Sequence, residues 1–261
     1  MTVILVSEIM TNLRIIICCV SFETVKVLDP IFYYRADRVH IIHSGTKRPY
    51  IDFFEHVTKV LDDKNIEWVD YDIYYANFTD VMKTVRSIII KEKKDGNFIY
   101  VNVGAGPQVY SSAAMITSMM EGAIPFNAPT EEFTVKDHEN IFFRDGKPVG
   151  NASKVKPPME IPTFEVNPPD QELIRALAIW KELTGKYKRF ATTEIMISLE
   201  KIGLLDDIWE DTTRKKRSQS ALMRYRRNFL DKWDKNGWIE KDNKGSYIIT
   251  KQGEMMLDIF N

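Results

Sequence analysis

The sequence predicts an α/β protein, with a Rossmann-like parallel sheet in its N-terminal part and a mainly α winged helix-turn-helix in its C-terminal part. Three observations predict this. Short apolar, β-branched runs alternate with helical patterns over the first half; five prolines crowd residues 155–170; and beyond them three amphipathic helices precede a strand-turn-strand and a last helix. At 261 residues the chain is long enough for two domains, each burying its own core. The expected division is 1–154 for the Rossmannoid domain, 155–170 for a proline-rich linker and 171–261 for the winged helix.

The strand candidates are Leu13 to Val20, Val39 to His43, Ile66 to Tyr71 and Phe98 to Val103, with Ala123 to Phe126 a further one. Helical spacing of apolar residues marks Val25 to Tyr34, Tyr50 to Leu61, Val81 to Ile90 and Ser111 to Glu121. Strict alternation of strand and helix implies a parallel sheet with crossover helices. Asp145-Gly146, between β-prone residues, signals a hairpin that decorates this domain.

In open parallel sheets a ligand sits beyond the carboxyl ends of the strands, where helix N-termini and free backbone N–H groups converge. Three loops occupy that edge: Ser21, Phe22, Glu23 and Thr24; Ser44, Gly45, Thr46 and Lys47; and Gly104, Ala105, Gly106, Pro107, Gln108 and Val109. The two glycines permit close backbone approach, and Gln108, Ser111 and Ser112 offer side-chain hydrogen bonds at a helix start. Such a cradle suits a phosphate or a base, although the same residues serve equally as plain turns. A nicotinamide site is excluded, since the turn after the first strand contains no glycine. There is no Walker motif, and the four histidines are scattered, so neither a metal nor another resident cofactor is expected; the only small molecule foreseen is an effector.

Thirty-six basic and 37 acidic residues nearly cancel, so no global field draws the chain to nucleic acid or membrane, although the part from Asp170 on is net basic. Cys18 and Cys19 are neighbours in a buried-strand pattern and make no disulfide framework, so a cytoplasmic protein is expected. Met1 to Met10 lacks the basic start of a signal peptide, Met10 is a second candidate start, and no apolar run reaches the roughly 18 residues of a membrane span.

After the linker, Leu173, Ala176, Leu177, Trp180 and Leu183 make the stripe of a first helix ending at Gly185. Thr192 opens a second that stops at Gly203, and a third runs from about Ser218 to Lys235 with Leu222, Tyr225, Phe229 and Trp233 inward. In a winged helix the third helix enters the major groove. The candidate phosphate contacts are then Arg214, Lys215, Lys216 and Arg217, with Ser218, Gln219, Ser220, Arg224 and Arg227 on the groove-facing side and Lys241 and Lys244 in the wing. Winged helices also mediate protein contacts. The segment 204–217 is longer than a tight turn and begins acidic, which suits a dimerisation or autoinhibitory insertion.

Tyr34-Arg-Ala-Asp-Arg-Val39, Val101-Asn-Val-Gly-Ala-Gly-Pro107 with its helix, Gly122-Ala-Ile-Pro125 and Met223-Arg-Tyr-Arg-Arg227 with its wing, in that order, resemble archaeal transcriptional regulators that join a CARF domain (the CRISPR-associated Rossmann-like fold) to a winged helix. The resemblance implies a homodimer whose strand-edge loops bind a cyclic oligonucleotide, typically cyclic oligoadenylate, and whose heads bind double-stranded DNA without enzymatic activity. Gln108 departs from the pattern, where the family often has Lys or Arg, and Lys47 is the substitute cation. Two alternatives follow. One is a ring nuclease cleaving its own cyclic ligand, with Thr46, Lys47, Gln108 and Ser111 as candidates; the other is a protein-binding adaptor.

Overall fold

The computed structural model describes residues 12–45, 48, 50–134, 143–144, 146–186, 192–210 and 218–261. The chain divides into two compact units, Met1–Asn167 and Pro168–Asn261. The first is an α/β unit of Rossmann-like type and the second is mainly helical.

Strand and helix alternate through β1 (Arg14–Cys19), α1 (Val25–Tyr34), β2 (Arg38–His43), α2 (Tyr50–Asp63), β3 (Glu67–Asp72), α3 (Phe78–Lys94), β4 (Phe98–Asn102), α4 (Gln108–Glu121) and β5 (Ile124–Asn127). These strands are parallel in the order β5-β4-β1-β2-β3. The runs Ile15 to Cys19 and Val39 to Ile42, apolar but for His40, lie at the centre, where both faces are covered by helices, and each of their residues is buried. β3 sits at the edge, and its sequence says so: Trp68 and Tyr71 are half-buried while Glu67, Asp70 and Asp72 are exposed. Three carboxylates on one edge strand discourage another chain from pairing there.

Four short strands follow. β6 (Thr130–Phe133) pairs antiparallel with β9 (Ala152–Val155), and β7 (Phe143–Arg144) with β8 (Lys147–Pro148). The β7–β8 turn is the expected hairpin, with Gly146 at φ +74; Asp145 and Phe142 lie outside the described residues. β10 (Met159–Glu160) then adds an antiparallel strand to the free edge of β5, with Met159 opposite Asn127 and Glu160 opposite Phe126. Part of the proline-rich run expected to be a connector therefore belongs to the sheet. Prolines 157 and 158 fall just before this edge strand, where a missing N–H is tolerated.

A buried polar cluster ties α3 to the sheet. Glu92, 1% exposed, accepts from Arg38 at 3.0 and 3.1 Å, from Asn97 at 2.7 Å and from His40 Nε2 at 2.8 Å. Tyr71 donates to His40 Nδ1 at 3.1 Å, so a neutral imidazole with its proton on Nε2 satisfies both partners. Burial lowers the His40 pKa, outweighing the opposing pull of Glu92. Burial alone would raise Glu92, but the hydrogen bonds from His40, Asn97 and Arg38 hold it below its usual value.

In the second unit come α5 (Gln171–Lys186), α6 (Thr192–Lys201), α7 (Gln219–Tyr225), a single π turn (Arg226–Leu230), α8 (Asp231–Lys235), the hairpin β11 (Ile239–Lys241) and β12 (Tyr247–Ile249), and α9 (Lys251–Phe260). The expected long third helix is thus present but interrupted. Tyr225, Phe229 and Trp233 recur every four residues, a spacing that drifts about 40° per step around a 3.6-residue helix. The wider π turn takes up that drift, so all three rings stay buried, their centroids 6.0 to 6.5 Å apart. Trp233 also donates its indole N–H to the Leu173 carbonyl at 3.1 Å, anchoring this helix to α5. No described helix is long and apolar enough to cross a membrane.

Two predictions follow from the His40–Glu92 cluster. Replacing Glu92 by Ala leaves Arg38 with Glu67 alone and removes the buried acceptor of His40 and Asn97, and should cost about 2 kcal/mol in denaturant unfolding. Because the folded His40 pKa lies below the ordinary 6.5, the unfolded chain takes up the proton first on acidification, so stability present above 6.5 is lost as the pH falls below it. The melting temperature should drop between about pH 7 and pH 5, and by less in His40→Gln.

Candidate functional site

The chain leaves β1 toward β2 on one side and leaves β4 toward β5 on the other, so a crevice opens at the carboxyl ends of these neighbouring strands. Its floor is held by Asn102, the last residue of β4 and fully buried. Pro30, inside α1, has no N–H to give the carbonyl of Lys26 one turn earlier, and the Asn102 amide donates there instead at 2.8 Å. The Asn102 side-chain oxygen accepts from the Gly104 N–H at 3.0 Å, and its backbone carbonyl accepts the Tyr110 hydroxyl at 3.1 Å. One residue therefore joins α1, the β4 turn and α4, the first two through its side chain and the last through its backbone carbonyl.

The glycines of that turn are required by packing. A Cβ on Gly106 would stand 2.4 Å from the Tyr110 ring and 2.9 Å from Cys19 Cβ, and one on Gly104 would stand 2.0 Å from Asn127 Oδ1. The close approach expected of them is thus made to the protein's own side chains. Ala105 is buried, and its carbonyl accepts the Ser21 hydroxyl at 3.3 Å, which links the β1 and β4 loops. Pro107 precedes α4 in extended conformation without a side-chain cap, so the positive end of α4 opens on this turn, with Gln108 exposed and Val109 and Ser111 half-buried.

Glu23 and Thr24 face another way. Residues 148–152 form a strap over their loop. Thr24 donates its hydroxyl to the carbonyls of Pro148 and Val149 at 2.9 and 3.0 Å; Glu23 bridges Gly150 and accepts from the Ala152 N–H at 3.2 Å. Burial raises the Glu23 carboxyl, partly offset by Lys26 at 3.8 Å and by N–H groups of the strap. Phe22 stays at the rim, its ring 4.5 Å from Tyr50 and 5.6 Å from Phe53. At the end of β2, Ser44 is half-buried and Gly45, at φ +93, donates its N–H to Asp72 at 3.3 Å. Thr46 and Lys47 lie outside the described residues.

The structure thus brings together Ser21, Phe22 and Gly104 to Val109, with Ser44 and Gly45 on the same edge. Sequence reasoning missed Asn102, Tyr50, Tyr74 and Tyr75. The last two follow β3 directly, and a pair of tyrosines at a strand's carboxyl end was the available signal. Cys18 and Cys19 are free and fully buried, and burial pushes both thiols up. Among the described residues no cluster of His, Cys, Asp and Glu could hold a metal ion. A separate groove of about 580 Å³ runs from the start of β5 to residues 160–165, at the far end of that strand from Asn127. Glu160 and Glu165 line it, so it repels anions and does not suit a nucleotide.

The residues expected to read DNA are arranged differently from that reading. Arg214, Lys215, Lys216 and Arg217 lie outside the described residues. Ser218 is the N-cap of α7, accepting from the Ala221 N–H at 3.3 Å, and Gln219 and Ser220 are exposed in the first turn. Arg224 is committed to the Asp206 carbonyl at 2.6 Å, and Arg227 donates to Asn228 at 3.3 Å from within the π turn. Lys241 lies over the Tyr247 ring, 5.3 Å from its centroid, and Lys244 is exposed at a tip folded around Asp242.

Residues 14–133, under half of the chain, match the family described as HFX_2341_N:-like, N-terminal. No curated protein matches. Solved structures similar to this chain include Enterococcus italicus Csm6 bound to cyclic hexa-2′-fluoro-hexa-dAMP (13% identity, TM-score 0.39, 46% of this chain and 34% of that one). They also include protein VC1899 from Vibrio cholerae (13%, 0.38, 94% and 64%) and Can2 from Sulfobacillus thermosulfidooxidans in complex with cyclic tetra-adenylate (10%, 0.41, 94% and 63%). The chain thus spans about a third of the first and just under two thirds of the other two. The sheet order found here is that of a Rossmann-like α/β unit. The expectation of a transcription regulator with double-stranded DNA as partner is corrected on this chain's own contacts, since Arg224 is bonded to the Asp206 carbonyl and Ser218 caps α7, and the expectation of a non-enzymatic protein is not carried forward.

Gly106→Ala should destabilise the first unit by about 2 kcal/mol, because the Tyr110 ring and Cys19 that it strikes are buried. Gly104→Ala should cost less, since the Asn127 side chain can swing away; paired denaturant melts compare the two.

Proposed function

We propose that the N-terminal unit binds a cyclic oligoadenylate in the strand-edge crevice and cleaves it, as a ring nuclease. The observation that carries this reading is the tied pair of loops at the β1–β4 switch point: Ser21 is bonded to Ala105, and the positive end of α4 opens directly on the Gly104–Pro107 turn. Backbone N–H groups at a helix start hold a phosphate without a side-chain cation, which suits a chain with Gln108 at that place.

Cleavage of such a ring needs a ribose 2′-oxygen in line with the adjacent phosphorus. The 2′-hydroxyl loses its proton to solvent water as its oxygen bonds to phosphorus, the P–O5′ bond breaks and the leaving 5′-oxygen takes up a proton from water, so the products are a 2′,3′-cyclic phosphate and a 5′-hydroxyl. Holding that geometry supplies much of the acceleration, and the α4 dipole stabilises the charge gathering on the phosphate oxygens. Gln108 and Ser111 are placed in the first turn of α4 to orient those oxygens.

The test is incubation of the full chain with cyclic tetra-adenylate and cyclic hexa-adenylate, following melting temperature and products by chromatography. A rise in melting temperature together with linear products carrying a 2′,3′-cyclic phosphate is expected, and Gln108→Ala should slow product formation about ten-fold. A melting shift with intact ligand would overturn cleavage and leave a binding domain. No shift and no product would overturn the whole reading.

A further inference from the structure

We infer that Phe22, Tyr50, Tyr74 and Tyr75 form a nucleobase-stacking subsite at the strand edge, taking the purine of the nucleotide whose phosphate faces α4. The inference rests on the reading of the crevice as a nucleotide site and names the part of the ligand that the glycine turn cannot recognise.

Three successive strand ends deliver these rings. Phe22 follows β1, Tyr50 opens α2 after β2, and Tyr74 and Tyr75 follow β3. Three of the four are mutually engaged, and Tyr74 is the neighbour of Tyr75 in the chain. The Phe22 and Tyr50 rings lie 4.5 Å apart at 40°, Phe53 braces Phe22 edge-on at 5.6 Å, and the Tyr75 hydroxyl is hydrogen-bonded to Tyr50. Tyr75 reaches back toward Cys19 at the end of β1; burial, Cys19 and Tyr50 together push its hydroxyl up to about 12, so it stays neutral. Core packing alone does not account for the group, because Tyr50 is 36% and Tyr74 66% exposed. Rings gathered from three loops at one edge, Phe22 and Tyr75 partly buried and Tyr50 and Tyr74 exposed, offer aromatic surface to solvent, and a purine covers such surface without needing a charged partner.

The placement also fits the phosphate half of the crevice. Ser21, bonded to Ala105 of the glycine turn, is the residue before Phe22, so the aromatic group begins one residue from the turn at α4. A ligand with a base on one side and a phosphate on the other spans these two halves.

The experiment is isothermal titration of the full chain with adenosine monophosphate, ribose 5-phosphate and cyclic tetra-adenylate, in the unaltered protein and in Tyr50→Ala, Tyr50→Phe and Tyr74→Ala. Expected is tighter binding of adenosine monophosphate than of ribose 5-phosphate, a loss of about ten-fold or more for adenosine monophosphate in Tyr50→Ala, and retention in Tyr50→Phe, which keeps the ring. Ribose 5-phosphate affinity should be unchanged by all three. Equal affinity for the two probes, no binding of adenosine monophosphate, or indifference to both alanine variants would overturn the inference. If Tyr50→Ala does not fold by circular dichroism, Tyr74→Ala and Tyr50→Phe carry the test. Ring-dependent binding of adenosine monophosphate without any binding of cyclic tetra-adenylate would refute the cyclic ligand while leaving the stacking subsite in place.

Discussion

The Asn102 amide occupies a position from which the rest of the N-terminal unit follows. Pro30 leaves a carbonyl unpaired in the interior of α1, and an unpaired buried carbonyl is costly, so something must donate to it. Asn102 does so from the end of β4, and in doing so has its oxygen left to receive Gly104 and its backbone to receive Tyr110. The turn that follows has no freedom left. It must pass between Asn127 on one side and Cys19 with Tyr110 on the other, and only glycine fits at 104 and 106 without displacing them. The strand order opens the crevice, and this constraint fixes the course of the turn that lines it.

Much of this architecture was legible. β1 and β2 are central, and a strand covered on both faces is largely apolar, which is why Ile15 to Cys19 and, but for His40, Val39 to Ile42 identify themselves. The elements that escaped are those whose cause is non-local. β10 is two residues long and carries no periodicity; it exists because β5 offers a free edge. The π turn depends on three rings finding one core, which a four-residue spacing hints at but does not specify. The His40–Glu92 pair joins residues 52 apart, and nothing local in either segment announces it.

The site divides in the same way. Its loops were legible because the position of a ligand edge follows from strand order and chain direction alone. Individual roles were not, because a loop residue can turn toward a ligand or toward the protein, and that choice is made by what lies opposite. Glu23 and Thr24 turn toward residues 148–152, and Gly104 and Gly106 toward Asn127 and Tyr110. Tyr74 and Tyr75 escape for a related reason: they lie beyond β3 in a segment with no glycine to mark a turn, and aromatic residues after a strand are as common in a core as at a ligand edge.

The strap over the β1 loop also bears on how the unit comes into being. Thr24 and Glu23 find their partners 124 and 129 residues later in the chain, and Gly150 fits only at φ +92, against the Phe22 carbonyl. During synthesis the first strand and helix emerge long before the segment that closes over the loop between them. Contacts of such long sequence separation form late in folding, after their loop entropy has been overcome by the sheet they complete. The β1 loop therefore sets late, and a nascent chain shorter than about 152 residues carries β1 and α1 without the strap that holds the loop between them.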